Sequence, residues 1–423
     1  MNPDCPLEEH VSRRALLKGV LATSSGATVA NWGGLFASPA RAEEVKQNQK
    51  RCILLWMNGG ASQFETFDMK IGRPNGGPFR PISTNVASTQ VCELLPKISQ
   101  QMDKLTVIRS MHTSQIDHPQ GIHLMHTAYS EAANIRFPEF GAVIAKSLGH
   151  VGSSLPNFIK IGSNGDSGSG FLGPKYQPFT MSHDGRLPTF AQSSLAPGIE
   201  SRRNELRQFV EDQYAVKHHV ETAKMHREAY ERARRLQSAL KTFKIDDEWA
   251  KYESLYGDSF FGRNCLLARQ LVEAGVPFVE IGHSGYDTHA DNFTGHKGLL
   301  PPMDQGWAGL LTDLHERGLL ANTLVVWMGE IGRTPQINNR AGRDHYVRAW
   351  STALAGGGVK GGYVHGATDQ DGRDVTSGEV KEGDFFATIY QALGINPSTE
   401  HFAGSRPVPI APFGSKVVRD LLV

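Results

Sequence analysis

The segment Cys52-Ile53-Leu54-Leu55-Trp56-Met57-Asn58-Gly59-Gly60 joins six consecutive apolar residues to a short polar loop with two glycines. Six apolar residues in a row leave no polar face, so they predict a strand that is buried on both sides. Asn58 and the two glycines predict a tight turn directly after that strand. Strands buried on both faces occur mainly in parallel sheets, so we expect an α/β protein.

Similar apolar segments recur along the chain, with helical patterns between several of them. The further predicted strands are residues 105–108, 158–161, 276–281, 323–328 and 351–355. Helical patterns at residues 264–273 and 303–317 each give way to a glycine before the next strand. This alternation predicts a three-layer α/β sandwich, in which helices cover both faces of a mainly parallel central sheet.

The segment from about residue 200 to residue 256 has a different composition. It is rich in Glu, Arg, Lys, Gln and Ala and contains neither Gly nor Pro, which predicts one long helix or a helical pair. We expect a helix-rich insertion between elements of the sheet or capping them, with its charges on a solvated face.

Charge and cysteine content exclude several classes of protein. The formal net charge is +1, so no broad field favours a nucleic acid or a membrane surface. No segment is apolar for long enough to span a bilayer. The cysteines show no C-x-x-C spacing, which argues against a cysteine zinc site and a dense disulfide framework. We therefore expect no nucleic-acid partner and no stable membrane span.

The N-terminal region has the three parts of a secretory signal. Ser12-Arg13-Arg14-Ala15-Leu16-Leu17-Lys18 is the charged start, residues 19–37 are a modest apolar run, and Pro39-Ala40-Arg41-Ala42 is a small-x-small cleavage site. The arginine pair predicts a twin-arginine signal peptide over residues 1–42. The twin-arginine translocase would then be a partner during export, and residues 43–423 would work in the periplasm or outside the cell. This route carries folded cargo, which favours a bound ion.

Polar, glycine-containing loops follow the predicted strands, at the edge where α/β sheets bind ligands. Asp287 and His289 lie two residues apart in the loop after residues 276–281. Carboxylate and imidazole groups together suit zinc, manganese or iron. A D-x-H loop is equally common as a hydrogen-bonded turn, so the spacing alone leaves both interpretations open.

A second loop carries Glu330, at the point where the predicted buried strand 323–328 ends. A carboxylate there needs a cation or hydrogen-bond donors. An internal pair with Arg333 would also satisfy it, without any metal. In a third loop, His345 could complete a two-histidine, one-carboxylate set with the Asp287 loop.

The neighbours of His345 suggest supporting roles. Asp344 could orient an imidazole, and Arg343 could hold a phosphate or sulfate through its planar guanidinium.

Four histidines lie close together after the predicted strand 105–108. We assign Asp117 and His118 to the site, with His118 as nucleophile or general acid/base. His123 and His126 follow the expected start of a helix, and we expect them to be helix residues.

Ten motifs match a family of exported bacterial proteins. They are GGASQFETFD (59–68), CELLP (92–96), RSMHT (109–113), DHPQG (117–121), SGFLGP (169–174), FGRNCLLARQLVEAGVPFVE (261–280), YDTHADN (286–292), GEIGRTP (329–335), GRDHY (342–346) and AGGGVKGGYVHGATD (355–369). On these motifs the chain resembles the "domain of unknown function 1501" family, DUF1501, which is similar to the alkaline phosphatase and sulfatase superfamily. The resemblance implies a single alkaline-phosphatase-like domain over residues 43–423.

The resemblance also implies a divalent metal at the strand ends, with zinc expected first and manganese or calcium as alternatives. By position, Asp287, His289 and His345 would bind one metal. Glu330 takes the place of an Asp-His pair for a second metal, and Asn58 takes the place of a metal-binding Asp, so both are further candidate ligands. Residues 43–423 lack the C/S-x-P-x-R motif of sulfatases.

Two functions follow from these features. The first is an exported metal-dependent hydrolase of phosphate or sulfate esters, including esters on polysaccharides. Asp117 and His118 would serve its chemistry, and Arg333 or Arg343 would neutralise the anionic ester. The second is a non-catalytic binding or assembly protein outside the cytoplasm on a phosphatase-like scaffold, because a fold does not imply a function.

Overall fold

The computed structural model describes residues 49–149, 154–163, 167–188, 196–217, 220–238 and 240–423. Contacts divide the chain into two units, residues 1–48 and residues 49–423, and the described helices and strands belong to the second. The predicted twin-arginine signal, residues 1–42, lies outside the described residues.

A central sheet organises this unit. In chain order the strands are β1 (Arg51–Asn58), β2 (Pro81–Ser83), β3 (Gln90–Cys92), β4 (Leu105–His112), β5 (Phe158–Ile161), β6 (Phe179–Met181), β7 (Phe278–Ser284), β8 (Thr323–Met328), β9 (Gly332–Arg333), β10 (His345–Tyr346), β11 (Trp350–Ala355), β12 (Tyr363–His365), β13 (Ala367–Thr368), β14 (Val375–Ser377), β15 (Val380–Lys381), β16 (Glu400–Ala403) and β17 (Arg406–Pro409). Within the described part of the chain, nine of them form the central sheet in the order β12-β4-β11-β8-β1-β7-β5-β6, with β15 also paired to β4. The remaining strands form two-stranded pairs.

Strand direction in the central sheet is parallel except at β11. β1 pairs in parallel with both β7 and β8, whereas β11 pairs antiparallel with β4 and β8. Between β8 and β11 the chain forms the antiparallel β9–β10 pair and no long helix. Without a helical crossover to carry the chain back to the opposite edge, the next strand runs in the reverse direction.

β1 shows why the sheet is buried on both sides. Successive side chains of a strand point to opposite faces, and β1 is apolar at every position from Cys52 to Met57. Ile53, Leu55 and Met57 therefore belong to one apolar core, and Cys52, Leu54 and Trp56 belong to the other.

Helices cover both cores. The α-helices are α1 (His118–Thr127), α2 (Phe140–Leu148), α3 (Pro197–Lys217), α4 (Val220–Ser238), α5 (Asp246–Tyr256), α6 (Phe260–Glu273), α7 (Asn292–Glu316) and α8 (Glu382–Ala392), and 3₁₀ turns lie at Gln63–Glu65, Ile98–Lys104, Gly170–Leu172, Pro174–Tyr176, Leu240–Phe243, Leu320–Asn322 and Arg419–Leu421. α6 and α7 pack on the core that contains Ile53. α2 and α8 pack on the core that contains Trp56.

The expected three-layer α/β architecture with a mainly parallel sheet is confirmed. Each of the six apolar segments identified in the sequence forms a strand of the central sheet. The helix-rich region near residues 200–256 holds α3, α4 and α5 between β6 and α6. Among the helices of the described residues, none is both long and apolar enough to cross a membrane.

Substitution of Trp327 in β8 would test how much the core near α7 contributes to stability. Its buried ring is stacked on Trp307 of α7, with 5.8 Å between ring centres, and meets Phe67 edge-on at 5.3 Å. We expect Trp327→Ala to lower the free energy of unfolding by about 3–5 kcal/mol, because it leaves a cavity. Phe413 is fully exposed, so the control Phe413→Ala should change stability by less than about 0.5 kcal/mol. Chemical denaturation would measure both, and equal effects would contradict the core assignment.

Candidate functional site

The loops after four parallel strands meet at one edge of the sheet. β1, β4, β7 and β8 run in the same direction, so their carboxyl ends share this edge. The strand ends are followed by Gly59, His118, Asp287 and Glu330, respectively. The β9–β10 pair adds His345, which lies directly opposite Arg333.

Three imidazoles surround the carboxylate of Asp287, and we call His118, Asp287, His289 and His345 the Asp287 cluster. Oδ1 of Asp287 lies 3.1 Å from His118 Nε2, 3.1 Å from His289 Nε2 and 3.4 Å from His345 Nε2. The two Nε2 atoms of His289 and His345 are 3.0 Å apart. The ligand atoms of His118, Asp287 and His345 all lie within 4.8 Å of one another.

Glu330 fixes the orientation of His118. Oε1 of Glu330 is 2.7 Å from His118 Nδ1 and accepts a hydrogen bond from the Gly59 N–H at 2.8 Å. Because Glu330 has no measurable exposure and its oxygen accepts, the His118 proton belongs on Nδ1. The lone pair of Nε2 then faces Asp287 and His345. This contact with Glu330 raises the pKa of His118, although burial opposes the shift.

Two buried atoms at this point lack hydrogen bonds. Within the described residues, His118 Nε2 and Glu330 Oε2 are both shielded from solvent and have no hydrogen-bond partner. His118 Nε2 is close to Asp287 Oδ1, but the contact does not have the direction of a hydrogen bond. Buried polar atoms are normally satisfied, so the arrangement leaves a lone pair of His118 available to a ligand.

The other two histidines are also held in place. Nδ1 of His289 lies 2.6 Å from Asp344 Oδ1, and this hydrogen bond lowers the pKa of Asp344. Asp344 therefore orients an imidazole, as the sequence suggested. Burial, followed by the nearby charge of Arg333, lowers the pKa of His345. The neutral form of His345, whose nitrogen can bind a cation, is therefore favoured.

Arg333 contacts Asp287 from the protein interior. It is fully buried, and its Nη2 donates to Asp287 Oδ1 at 2.8 Å. Its other hydrogen bonds go to the carbonyl oxygens of Gly59, Gly60 and Arg343. Burial alone would raise the pKa of Asp287, but the hydrogen bond and the positive charge of Arg333, together with the neighbouring His118, hold it well below its usual range. Arg333 thus keeps Asp287 ionised and in position.

Gly59 allows the β1 and β7 loops to come together. Its φ angle is +105°, and a Cβ atom there would lie 2.4 Å from the backbone nitrogen of Asp287. Any larger residue would have to displace that backbone, so the glycine of the first sequence segment is required by this close approach.

The structure places three of the residues predicted for the site away from the cluster. Arg343 is fully buried, and its five N–H groups go to Glu65 and to the carbonyl oxygens of Asn75, Thr334 and Pro335. A guanidinium has five donors in all. The assignment of Arg343 to an anionic ester is therefore corrected: it forms a buried ion pair with Glu65 at 2.8 Å.

Asp117 and Asn58 also lie outside the cluster. Asp117 is exposed and precedes the first residue of α1. The Nδ2 atom of Asn58 points to Ser284 Oγ, 3.4 Å away at the end of the neighbouring strand. Glu330, which was predicted as a metal ligand, instead contacts Nδ1 of His118, on the side of the ring away from Asp287. The nitrogen that faces Asp287 is His118 Nε2.

A second group of ionisable residues lies inside the protein, and sequence reasoning missed it. Lys160 Nζ is 2.6 Å from Glu139 Oε2 and 3.2 Å from Glu280 Oε2, and His126 Nε2 is 3.2 Å from Glu280 Oε1. All four residues are buried. His126, Glu139 and Glu280 could hold a metal, but the Lys160 ammonium already supplies a cation there. The signal was a lysine and a glutamate within otherwise apolar strands, which must be paired.

The charges of this second group shift each other's ionisation. Burial opposes ionisation of Lys160, but the carboxylates of Glu280 and Glu139 outweigh it and raise the pKa of Lys160. In the same way, Lys160 and His126 overcome burial and lower the pKa of Glu280. Each charge is therefore stabilised only by its partners.

We expect Lys160→Met to lower the free energy of unfolding by about 3–5 kcal/mol near neutral pH, because two buried carboxylates lose their partner. In the wild-type protein the low pKa of Glu280 stabilises the fold above the normal glutamate range, and this contribution is lost as the pH falls. The difference in the free energy of unfolding between the variant and the wild type should therefore become smaller at acid pH. Denaturation at several pH values would measure it, with the exposed Lys175→Met as control. A loss that does not change with pH would contradict the charge pairing.

No curated protein sequence matches this chain. The chain is similar to the structure of a sulfatase from Pseudoalteromonas sp., with 14% identity, a TM-score of 0.44, and coverage of 91% of this chain and 74% of that one. It is also similar to a protein of the alkaline phosphatase superfamily from Vibrio parahaemolyticus, with 10% identity, a TM-score of 0.38, and coverage of 82% and 67%. A third similar structure is a phosphonate monoester hydrolase from Silicibacter pomeroyi, with 12% identity, a TM-score of 0.37, and coverage of 88% and 76%.

Residues 49–422 match the family described as "Protein of unknown function (DUF1501)". The match covers nearly all of the described residues and confirms the resemblance found in the ten motifs. The chain belongs to the DUF1501 family.

Proposed function

We propose that the Asp287 cluster binds a divalent cation and that the protein is an exported metal-dependent hydrolase of phosphate or sulfate esters. One observation carries the proposal. His118 Nε2, His345 Nε2 and Asp287 Oδ1 converge, and His118 Nε2 is buried without a hydrogen-bond partner among the described residues. A cation among these atoms would satisfy the His118 lone pair.

The separations of the ligand atoms fit a small cation. Atoms bound to one zinc ion at about 2.0 Å in a tetrahedron lie about 3.3 Å apart. In the cluster, the Nε2 atoms of His289 and His345 are 3.0 Å apart. The distances from Asp287 Oδ1 to the Nε2 atoms of the three histidines are 3.1–3.4 Å. The two imidazoles and the carboxylate of the convergent set favour zinc over calcium, which prefers oxygen ligands, and manganese is the next alternative.

The chain's own residues would prepare the site for the reaction. Glu330 orients His118, Asp344 orients His289, and Arg333 keeps Asp287 ionised. A bound cation would supply positive charge to stabilise the anionic group of the ester as water cleaves it. His118 is the first residue of α1, so the positive end of that helix lies at the cluster and also favours an anion.

Export is a further part of the proposal. The paired arginines, the modest apolar run and the small-x-small site in residues 1–42 support twin-arginine export to the periplasm or the exterior. A substrate would then be an ester of the cell envelope or the surroundings, including polysaccharide esters. A metal acquired before export would be consistent with a route for folded cargo.

One observation favours the second candidate function, a non-catalytic binding or assembly protein. Arg333 already balances the charge of Asp287, and Asp287 and Glu330 both lie within ion-pair distance of His118. Such a network can be stable without a metal. The two functions therefore differ in a direct measurement, the metal content of the purified protein.

We expect the protein to contain about one divalent cation per chain, measured by elemental mass spectrometry. Asp287→Ala and His345→Ala should each remove it, because each deletes a ligand atom of the convergent set. Asp117→Asn is the matched control, since its carboxylate is exposed and lies outside the cluster. Metal retained in both cluster variants would show that the ligands are wrongly assigned.

Activity on aryl phosphate, phosphonate and sulfate esters would separate the two candidate functions. For the hydrolase, metal-loaded protein should cleave at least one of these esters, and Asp287→Ala should reduce kcat/KM by at least about 100-fold. Protein that binds the metal but cleaves none of them would favour the binding function. Protein that binds no metal would rule out the metal-dependent hydrolase.

A further inference from the structure

α3 exposes a row of large apolar side chains to solvent. Five of its residues are each between 56% and 83% exposed, namely Ile199, Leu206, Phe209, Val210 and Val216. Large exposed apolar patches on a folded protein mark interaction sites. The sequence pattern of this charged segment had predicted a solvated polar face, so this row is a feature that only the structure revealed.

The exposed row lies opposite the face that packs on α4. Asn204 and Glu211 are buried and contact Tyr230 and His226 of α4. At 100° per residue, the five apolar side chains cluster on the other half of the α3 surface. α4 therefore satisfies one face of α3, and the apolar face is left uncovered in the described structure.

Four of the five exposed apolar residues exchange in pairs when the helix is reversed end to end. Reversal about the midpoint between Arg207 and Gln208 exchanges Ile199 with Val216 and Leu206 with Phe209. It also exchanges Arg202 with Gln213, both of which lie within the row. Two copies of α3 packed antiparallel would therefore place these four apolar residues opposite one another, whereas Val210 would lie opposite Glu205 at the edge of the row. They would also place each Arg202 opposite a neutral amide instead of another arginine.

This symmetry is what a homodimer interface requires. In a two-fold interface, the same patch on each copy must complement itself. A parallel arrangement would instead bring the two Arg202 side chains together, with like-charge repulsion. The pattern thus favours a second copy of this chain over an unrelated partner.

The apolar area reaches the lower limit for a specific contact. Aromatic side chains bury about 150–250 Å² each, and four of the five residues are smaller and aliphatic, so the row offers at most about 500 Å² per copy. A pair would bury at most about 1,000 Å² of apolar surface, which is the lower limit for a specific protein interface. The helix itself, 21 residues long, provides about 31 Å of contact length.

We propose that α3 forms an antiparallel two-fold interface with α3 of a second copy, so that the protein is a homodimer. The interface lies on the helical insertion and uses no residue of the Asp287 cluster. It is therefore independent of the proposed hydrolase function.

Sedimentation equilibrium of the purified full chain tests the proposal. We expect the wild-type chain to be a dimer, and Leu206→Arg with Phe209→Arg to raise the dissociation constant by at least about 10-fold, since charges would enter the centre of the interface. The matched control is Ile71→Arg, which changes another exposed apolar residue away from α3. A wild-type chain that sediments as a monomer, or a double variant that dimerises like wild type, would overturn the proposal.

Cysteine cross-linking tests the antiparallel orientation. In a background with Cys5→Ser, the remaining native cysteines are buried. Leu206→Cys lies near the symmetry axis and should cross-link to its own copy with a short bismaleimide. Ile199→Cys alone should not cross-link, whereas Ile199→Cys combined with Val216→Cys should. Cross-linking of Ile199→Cys alone would show a parallel pair and overturn the antiparallel interface.

Discussion

The structure depends on the parallel alignment of β1 between β7 and β8. These three strands form the middle of the sheet, and their register places Asn58 beside Ser284 at the carboxyl edge. The apolar side chains of β1 fill both cores, so this strand cannot shift by one residue without exchanging its two faces. The positions of the loops that carry Asp287 and Glu330 follow from this register. The geometry of the candidate site is therefore set by burial of β1, whose next residue, Gly59, contacts Glu330 and Arg333 directly.

The structure also depends on buried cations that are paired with carboxylates. Lys160, Arg333 and Arg343 are fully or almost fully buried, and each has carboxylate partners. Two of these cations connect separate parts of the fold. Arg343 joins the GRDHY loop to Glu65, and Lys160 joins β5 to β7 through its ion pair with Glu280. Arg333 has both a structural role and a role at the site, because it donates hydrogen bonds to the carbonyl oxygen of Gly59 after β1 and to the carboxylate of Asp287. A buried arginine next to a site thus orients the groups that would meet a ligand.

Much of the fold and part of the candidate site could be predicted from the sequence. The six apolar segments gave the main strands, and the rule that loops after parallel strands converge brought Asp287, His289 and His345 into one hypothesis. The relation of His118 to Glu330 could not be predicted, because it depends on which nitrogen of an imidazole faces which neighbour. Arg343 was assigned to an anion because sequence shows a guanidinium near a histidine but does not show that carbonyl oxygens surround it. His126 was taken as a helix residue, which it is, but its buried contact with Glu280 comes from packing of α1 against the sheet.

The sequence by itself determined the class of fold, the strands that form it and the loops in which ionisable groups gather. Those features depend on local composition and periodicity, which are visible along the chain. Only the tertiary structure decided which polar groups are buried, which are paired, and which retain a free ligand atom. Residues such as His118 and Glu330 are separated by more than two hundred positions, and their contact depends on side-chain orientation and packing. The uncovered face of α3 belongs to the same category, because a helix face is known to be unpartnered only when its neighbours are in place.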